Sequence, residues 1–254
     1  MHKRAGFKLL LSYSVPAAIS MMVAAFCNIS DRWFIGESEG ITALAGLSLT
    51  LPLMVLLTAI GSIVGTGGAI LIGRCLRRKE ILIAEKILGN TFSLTFLISL
   101  LIIFILSGFQ KEIILLFGGR TETLPYAVRY LNIIIPGSIF LNLTAGLTNC
   151  MRVCGFARKA AWIVFLGIIL NVVSDYYFIS VLGMGIEGGA IATVLSMGTC
   201  ALLICFHFLS PDSPVVLRKT YFKPQARQTL KIILTGMTPF FMNLTICTVS
   251  IIMN

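Results

Sequence analysis

Long uncharged runs separated by short charged segments set the pattern of this chain. Lys3, Arg4 and Lys8 precede an uncharged run from Leu9 to Ser30. That run is longer than the core of a secretory signal, about 7–15 residues, and it contains Ser12, Ser14 and Pro16, so it reads as a retained first span. The next run, Gly40 to Gly73, exceeds the ~20 helical residues that cross a bilayer; with Pro52 inside, it predicts a long, tilted or kinked helix. Further runs cover Ile87 to Gln110, Tyr130 to Met151 with Pro136, Ala160 to the Gly183–Gly185 turn, Gly188 to Pro211, and Ile232 to Asn254. Ile113 to Phe117 is too short to cross and reads as a surface turn. The pattern predicts an all-α fold, a polytopic membrane helix bundle of about seven transmembrane helices.

The basic residues orient it. The N-terminus and the segments 74–86, 152–159 and 218–231 hold 16 of the 20 Lys and Arg, leaving Arg32, Lys111, Arg120 and Arg129 on the other side. Basic loops stay in the cytoplasm, which predicts a cytoplasmic N-terminus; the expected location is a bacterial inner membrane. Seven of the ten acidic residues lie at or near the opposite side. The net charge of +10 sits in loops between apolar runs rather than on a face, which argues against a nucleic-acid partner. Only 12% of residues are charged and mean hydropathy is +0.96, against about 25% charged in soluble domains. The seven cysteines (27, 75, 150, 154, 200, 205, 247) form no CxxC pair and are odd in number. They indicate neither a disulfide framework nor a zinc site, and read as small packing residues.

Four polar groups stand out by depth. Asp31 closes the first run, Asn171 and Asp175 lie four residues apart on one helical face of the fifth, and Thr193 lies just inside the sixth. At 1.5 Å per residue all four fall roughly 6–17 Å below the outer surface. A carboxylate there costs about 2.5–3.5 kcal/mol even on insertion scales. Two readings are open: an oxygen-lined pocket for a hard cation such as Na⁺, or a carboxyl pair that traps a proton. Asp31 beside Arg32 also admits a plainer reading as a solvated helix-end acid. The glycines Gly61, Gly65, Gly67 and Gly68 predict a close-packed helix face, with Gly61 and Gly65 in GxxxG spacing.

The sequence repeats itself. Shifted by 223 residues, Lys8 falls on Lys231, Pro16 on Pro239 and Asp31 on Asn254. This divides the chain into a six-helix lobe, residues 1–217, and a cytoplasmic linker with the first helix of an incomplete second lobe, 218–254. A C-terminal lobe is the expected missing partner.

The stretches VPAAISMMVAAFCNISDRWFIG and NVVSDYYFISVLGMGIEGGAIATVLS, with GSIVGTGGAILIGRCL and MRVCGFARKAAWIVFLGIILN, resemble the multidrug and toxic compound extrusion (MATE) family. The resemblance covers residues 9–254. It implies a six-helix lobe of a two-lobed transporter that exports cationic, amphipathic compounds in exchange for Na⁺ or H⁺, without a cofactor. By resemblance the cation site falls on Asp31, Asn171, Asp175 and Thr193, with Asn149 a lesser carry-over and Pro16 a hinge in the first span. Since the chain matches one lobe and a helix, transport is expected to need the second lobe. A lipid-linked oligosaccharide flippase of the same superfamily is the alternative; its large anionic substrate would call for an Arg-rich cavity, whereas the membrane-embedded charges here are acidic. A non-transporting accessory membrane protein is the third reading. An enzyme is not expected: the only histidines are His2 and His207, the latter read as interfacial, and no HExxH or GxSxG pattern occurs.

Overall fold

The computed structural model describes the helical backbone from residue 2 and side chains from residue 29, apart from 212, 219, 239, 243, 246, 247 and 250–254. Pro16, its repeat partner Pro239 and Asn254 therefore lie outside the described residues. Six helices follow in order: α1 His2–Arg77, α2 Ile81–Leu116, α3 Leu124–Met151, α4 Ala157–Asp175, α5 Gly185–Leu209 and α6 Ala226–Met253. Short π-helical stretches, Arg152–Phe156 and Tyr176–Val181, precede and follow α4.

α1 is two spans rather than one. Gly40 adopts φ 80° and ψ −170°, a conformation essentially reserved for glycine. A Cβ on Gly36 would meet the Leu44 side chain at 2.8 Å. In a straight helix, residues eight apart stand about 12 Å apart along the axis, so the chain folds back at Gly40. The same reasoning divides the 58-residue apolar stretch Leu124–Val181. Gly155, at φ 95°, breaks it, and Tyr130 near its start senses the charge of Asp175 near its end. A continuous helix would hold those two residues roughly 68 Å apart. With these reversals the multi-pass arrangement expected from the apolar runs is obtained.

One expected boundary moves. Ile113 to Leu116 is not a surface turn but the last turn of α2. Exposed Lys111 and Glu112 sit on a helix face there while Ile114 is buried, and the turn waits for Gly118, at φ 92°. A charged pair near a membrane edge does not end a helix; a left-handed glycine does.

Packing is built on the glycine face that the sequence marks. Gly61 lies against Asn142, Gly65 against the backbone of Gly146, and Gly68 against Thr91, each too close for a Cβ. Asn142 donates to Ser99 at 3.1 Å, so the polar groups of this seam are held between α2 and α3. One apolar cluster gathers Ile35, Leu53, Leu131, Ile135 and Ile186 toward the Gly40 end. A second gathers Ile72, Leu88, Met151, Ile204 and Phe208 toward the Arg77 end. Large apolar side chains such as Phe104 (84% exposed) and Trp162 (70%) point outward, a surface suited to lipid.

α6 packs along the second arm of α1, where Gly67 abuts the carbonyl of Ile232 and Gly236 that of Ile63. The linker before α6 is strapped to the Arg77 end. Arg218 Nε stands 3.0 Å from the buried carboxylate of Glu85, and Phe222 stacks on Phe92 at 5.2 Å. His207, expected at the interface, is instead buried, with Lys159 Nζ 3.1 Å from its Nδ1 and the Phe156 ring 4.6 Å away. Five cysteines among the described residues are free, and Cys75, Cys150 and Cys200 are buried packing residues.

Candidate cation-coupling site

Asp31 lies on the first arm of α1, nine residues before the Gly40 break, and Asp175 is the last residue of α4. The two carboxyl groups lie close enough to influence each other, and both side-chain oxygens of Asp175 are buried without a hydrogen-bond partner. Asp175 is fully buried and Asp31 partly so. No basic side chain pairs with Asp175 among the described residues. Two neighbouring buried carboxylates cannot both stay charged at low cost, so such a pair favours holding a proton or a cation.

The remaining expected residues frame this pair. Asn171 is buried one helical turn before Asp175 on α4. Thr193, on α5, is partly buried and reaches the pair through a residue that sequence reasoning passed over: Tyr130 of α3. Its phenol approaches the Thr193 side chain, and its buried ring lies near both Asp31 and Asp175. Nothing in the local sequence distinguishes Tyr130 from an interfacial tyrosine at the start of a span. Only the antiparallel return of α4 brings it to the acids. Asn149 is elsewhere, lining a cavity at the Arg77 end.

Two features shape the site's surroundings. The π-helical stretch Tyr176–Val181 begins directly after Asp175; such wide turns recur at functional positions because they re-aim the side chains beside them. At the Gly40 end, Arg129 Nε donates to Glu187 at 2.8 Å and its Nη1 to Glu39 at 3.4 Å. This cluster ties the α1 turn to the starts of α3 and α5. Beside it an aromatic pocket of about 590 Å³ is lined by Trp33, Phe34, Glu37, Ser38 and Tyr176. The donor set is all oxygen with one amide, suited to H⁺ or a hard monovalent ion; no cluster of three or more His, Cys, Asp or Glu exists among the described residues.

The MatE family model matches residues 16–177, well over half of the chain. The chain belongs to the MatE family. Three members of that matched segment, Asp31, Asn171 and Asp175, belong to the site above, while Thr193 lies beyond it. Members of the MatE family are transporters rather than enzymes. The multidrug export protein MepA of Staphylococcus saprophyticus is 23% identical over 99% of this chain and 56% of its own length. Among solved structures, one called protein A is 29% identical with a TM-score of 0.91, covering 97% of this chain and 55% of that one. A crystal structure of MATE in the bent conformation is 24% identical, TM-score 0.85, covering 92% of this chain and 52% of that one. The chain spans about half the length of the relatives it matches.

Proposed function

We propose that this chain carries the ion-coupling lobe of an antiporter that exports cationic, amphipathic compounds in exchange for H⁺ or Na⁺. The observation that carries this reading is the proximity of Asp31 and Asp175. A buried acid pair holds either one small cation or one organic cation well, and not both. Loading by H⁺ or Na⁺ from one side expels the organic cation; release to the other side restores the negative site. A coupling ion moves the equilibrium between two conformations only through its different affinity for each. With Arg74, Arg77 and Arg78 at one end of the bundle and Glu37, Glu39 and Glu187 at the other, the Arg77 end is cytoplasmic and the Gly40 end external, in a bacterial inner membrane. Residues 1–217 form the lobe, and α6 opens a second one.

A site whose charged members are both acidic favours cationic cargo over a lipid-linked oligosaccharide. The test is ethidium or norfloxacin accumulation in cells expressing this lobe joined to a second, C-terminal lobe, with Asp175→Asn as the paired variant. The proposal expects low accumulation with the native residue and loss of export in the variant at equal membrane abundance. Equal resistance in both rejects it.

A further inference from the structure

At the Arg77 end, between the second arm of α1, the last turn of α3 and Pro214 of the linker, lies a cavity of about 860 Å³. Its wall is mostly apolar: Ala69, Ile70 and Val153 contribute aliphatic surface. Val153 reaches into it because Gly73, opposite, has no side chain; a Cβ there would meet the Val153 methyl. Arg77, Arg152 and Asn149 converge on the same space from two helices and the turn that follows, and Thr66 adds a hydroxyl. No acidic residue lines it, and neither arginine belongs to an ion pair among the described residues.

This chemistry is the reverse of the Asp31–Asp175 site. Two guanidiniums present planar forks suited to phosphate oxygens. The apolar wall beside them runs along α1 toward the membrane interior, as an acyl chain would. The cavity volume lies within the range of small-ligand sites, roughly 300–1,000 Å³. Basic clusters at the cytoplasmic ends of spans attract anionic lipid. Arg77 and Arg152 are exposed, as Arg78 and Lys79 are, but they come from separate helix ends to line one cavity, which Arg78 and Lys79 do not.

We propose that this cavity binds an anionic phospholipid of the cytoplasmic leaflet, with its phosphate between Arg77 and Arg152, Asn149 donating to the headgroup, and one acyl chain against Ala69, Ile70 and Val153. It rests on the cytoplasmic placement of the Arg77 end and not on cation coupling, so it is testable without any drug.

The experiment is native mass spectrometry of the purified chain with phosphatidylglycerol or phosphatidylcholine. Arms with inorganic phosphate and with glycerophosphoglycerol, the headgroup without chains, distinguish a free anion from a lipid. The expected result is a preference for phosphatidylglycerol on the order of tenfold. It is lost in R77Q/R152Q, reduced in Asn149→Leu, which keeps both charges, and retained in R78Q/K79Q, which removes the same charge from outside the cavity. Elution profiles of the variants report folding, and Asn149→Leu decides the matter if the arginine pair does not fold. Equal loss in R78Q/K79Q would show diffuse surface attraction and overturn the proposal. So would equal binding of phosphatidylcholine, or competition by inorganic phosphate as effective as that by the lipid.

Discussion

Asp31 and Asp175, 144 positions apart in the sequence, bring their carboxyl groups near one another inside the bundle. One comes from the arm before the Gly40 reversal and the other from the end of α4. Neither span alone could hold this pair; the turns between them, at Gly40, after Arg77, at Gly118 and at Gly155, bring it together.

Removing one acid should uncouple the pair. Asp175→Asn keeps the shape but removes the charge, so cation-driven export should fall on the order of tenfold or more, a typical coupling factor. Asp31→Asn should behave likewise, and the double variant should be no worse than either single one. Export rates in everted vesicles, normalised to protein content, check this. Additive losses would mean that the two acids act separately.

Tyr130→Phe removes the hydroxyl that approaches Thr193 and leaves the ring. Binding of an organic cation should persist while its pH dependence moves, because the phenol lies beside both acids. Thr193→Val should move it in the same way. A titration of ligand fluorescence against pH reads both, and unchanged curves would remove Tyr130 from the site.

The glycine seam predicts opposite outcomes at two positions in the bundle. Gly65→Leu drives a side chain into the Gly146 backbone and should cost at least 1–3 kcal/mol or so, as overpacking does. Gly108, an α2 residue with open space around it, should gain up to about 1 kcal/mol on Gly108→Ala through helix propensity. Thermal unfolding in detergent measures both.

Gly40→Ala should be strained by about 1–3 kcal/mol, although nothing crowds the position, because φ 80° with ψ −170° excludes a Cβ. A melt as high as that of the native chain would mean that the reversal does not need this conformation.

The bundle was legible because uncharged runs announce spans and basic loops punctuate them. Asp31, Asn171 and Asp175 could be singled out because charge and amide are expensive at that depth, and Thr193 by its similar depth and by the family resemblance. What the sequence concealed is explained by contacts between distant segments. Tyr130 looks like any tyrosine at a span entrance until α4 returns beside it. The Arg129–Glu39–Glu187 cluster joins three separate helix ends. Arg152 and Arg77 read as ordinary loop cations until a walled cavity is seen between them. Lys111 and Glu112 misled for a local reason: charge suggests a span's limit but does not stop a helix, and α2 runs on to Leu116.

The central claim is competition at one acid pair, and binding of ethidium to the purified chain, followed by fluorescence anisotropy across pH and Na⁺ concentration, tests it most directly. As pH rises the shared proton leaves, the site gains negative charge, and affinity for ethidium should increase. Added Na⁺ should then weaken binding competitively, and Asp175→Asn should abolish both responses. An ethidium affinity that ignores pH and Na⁺ in the native chain, or that responds identically in Asp175→Asn, would contradict the account.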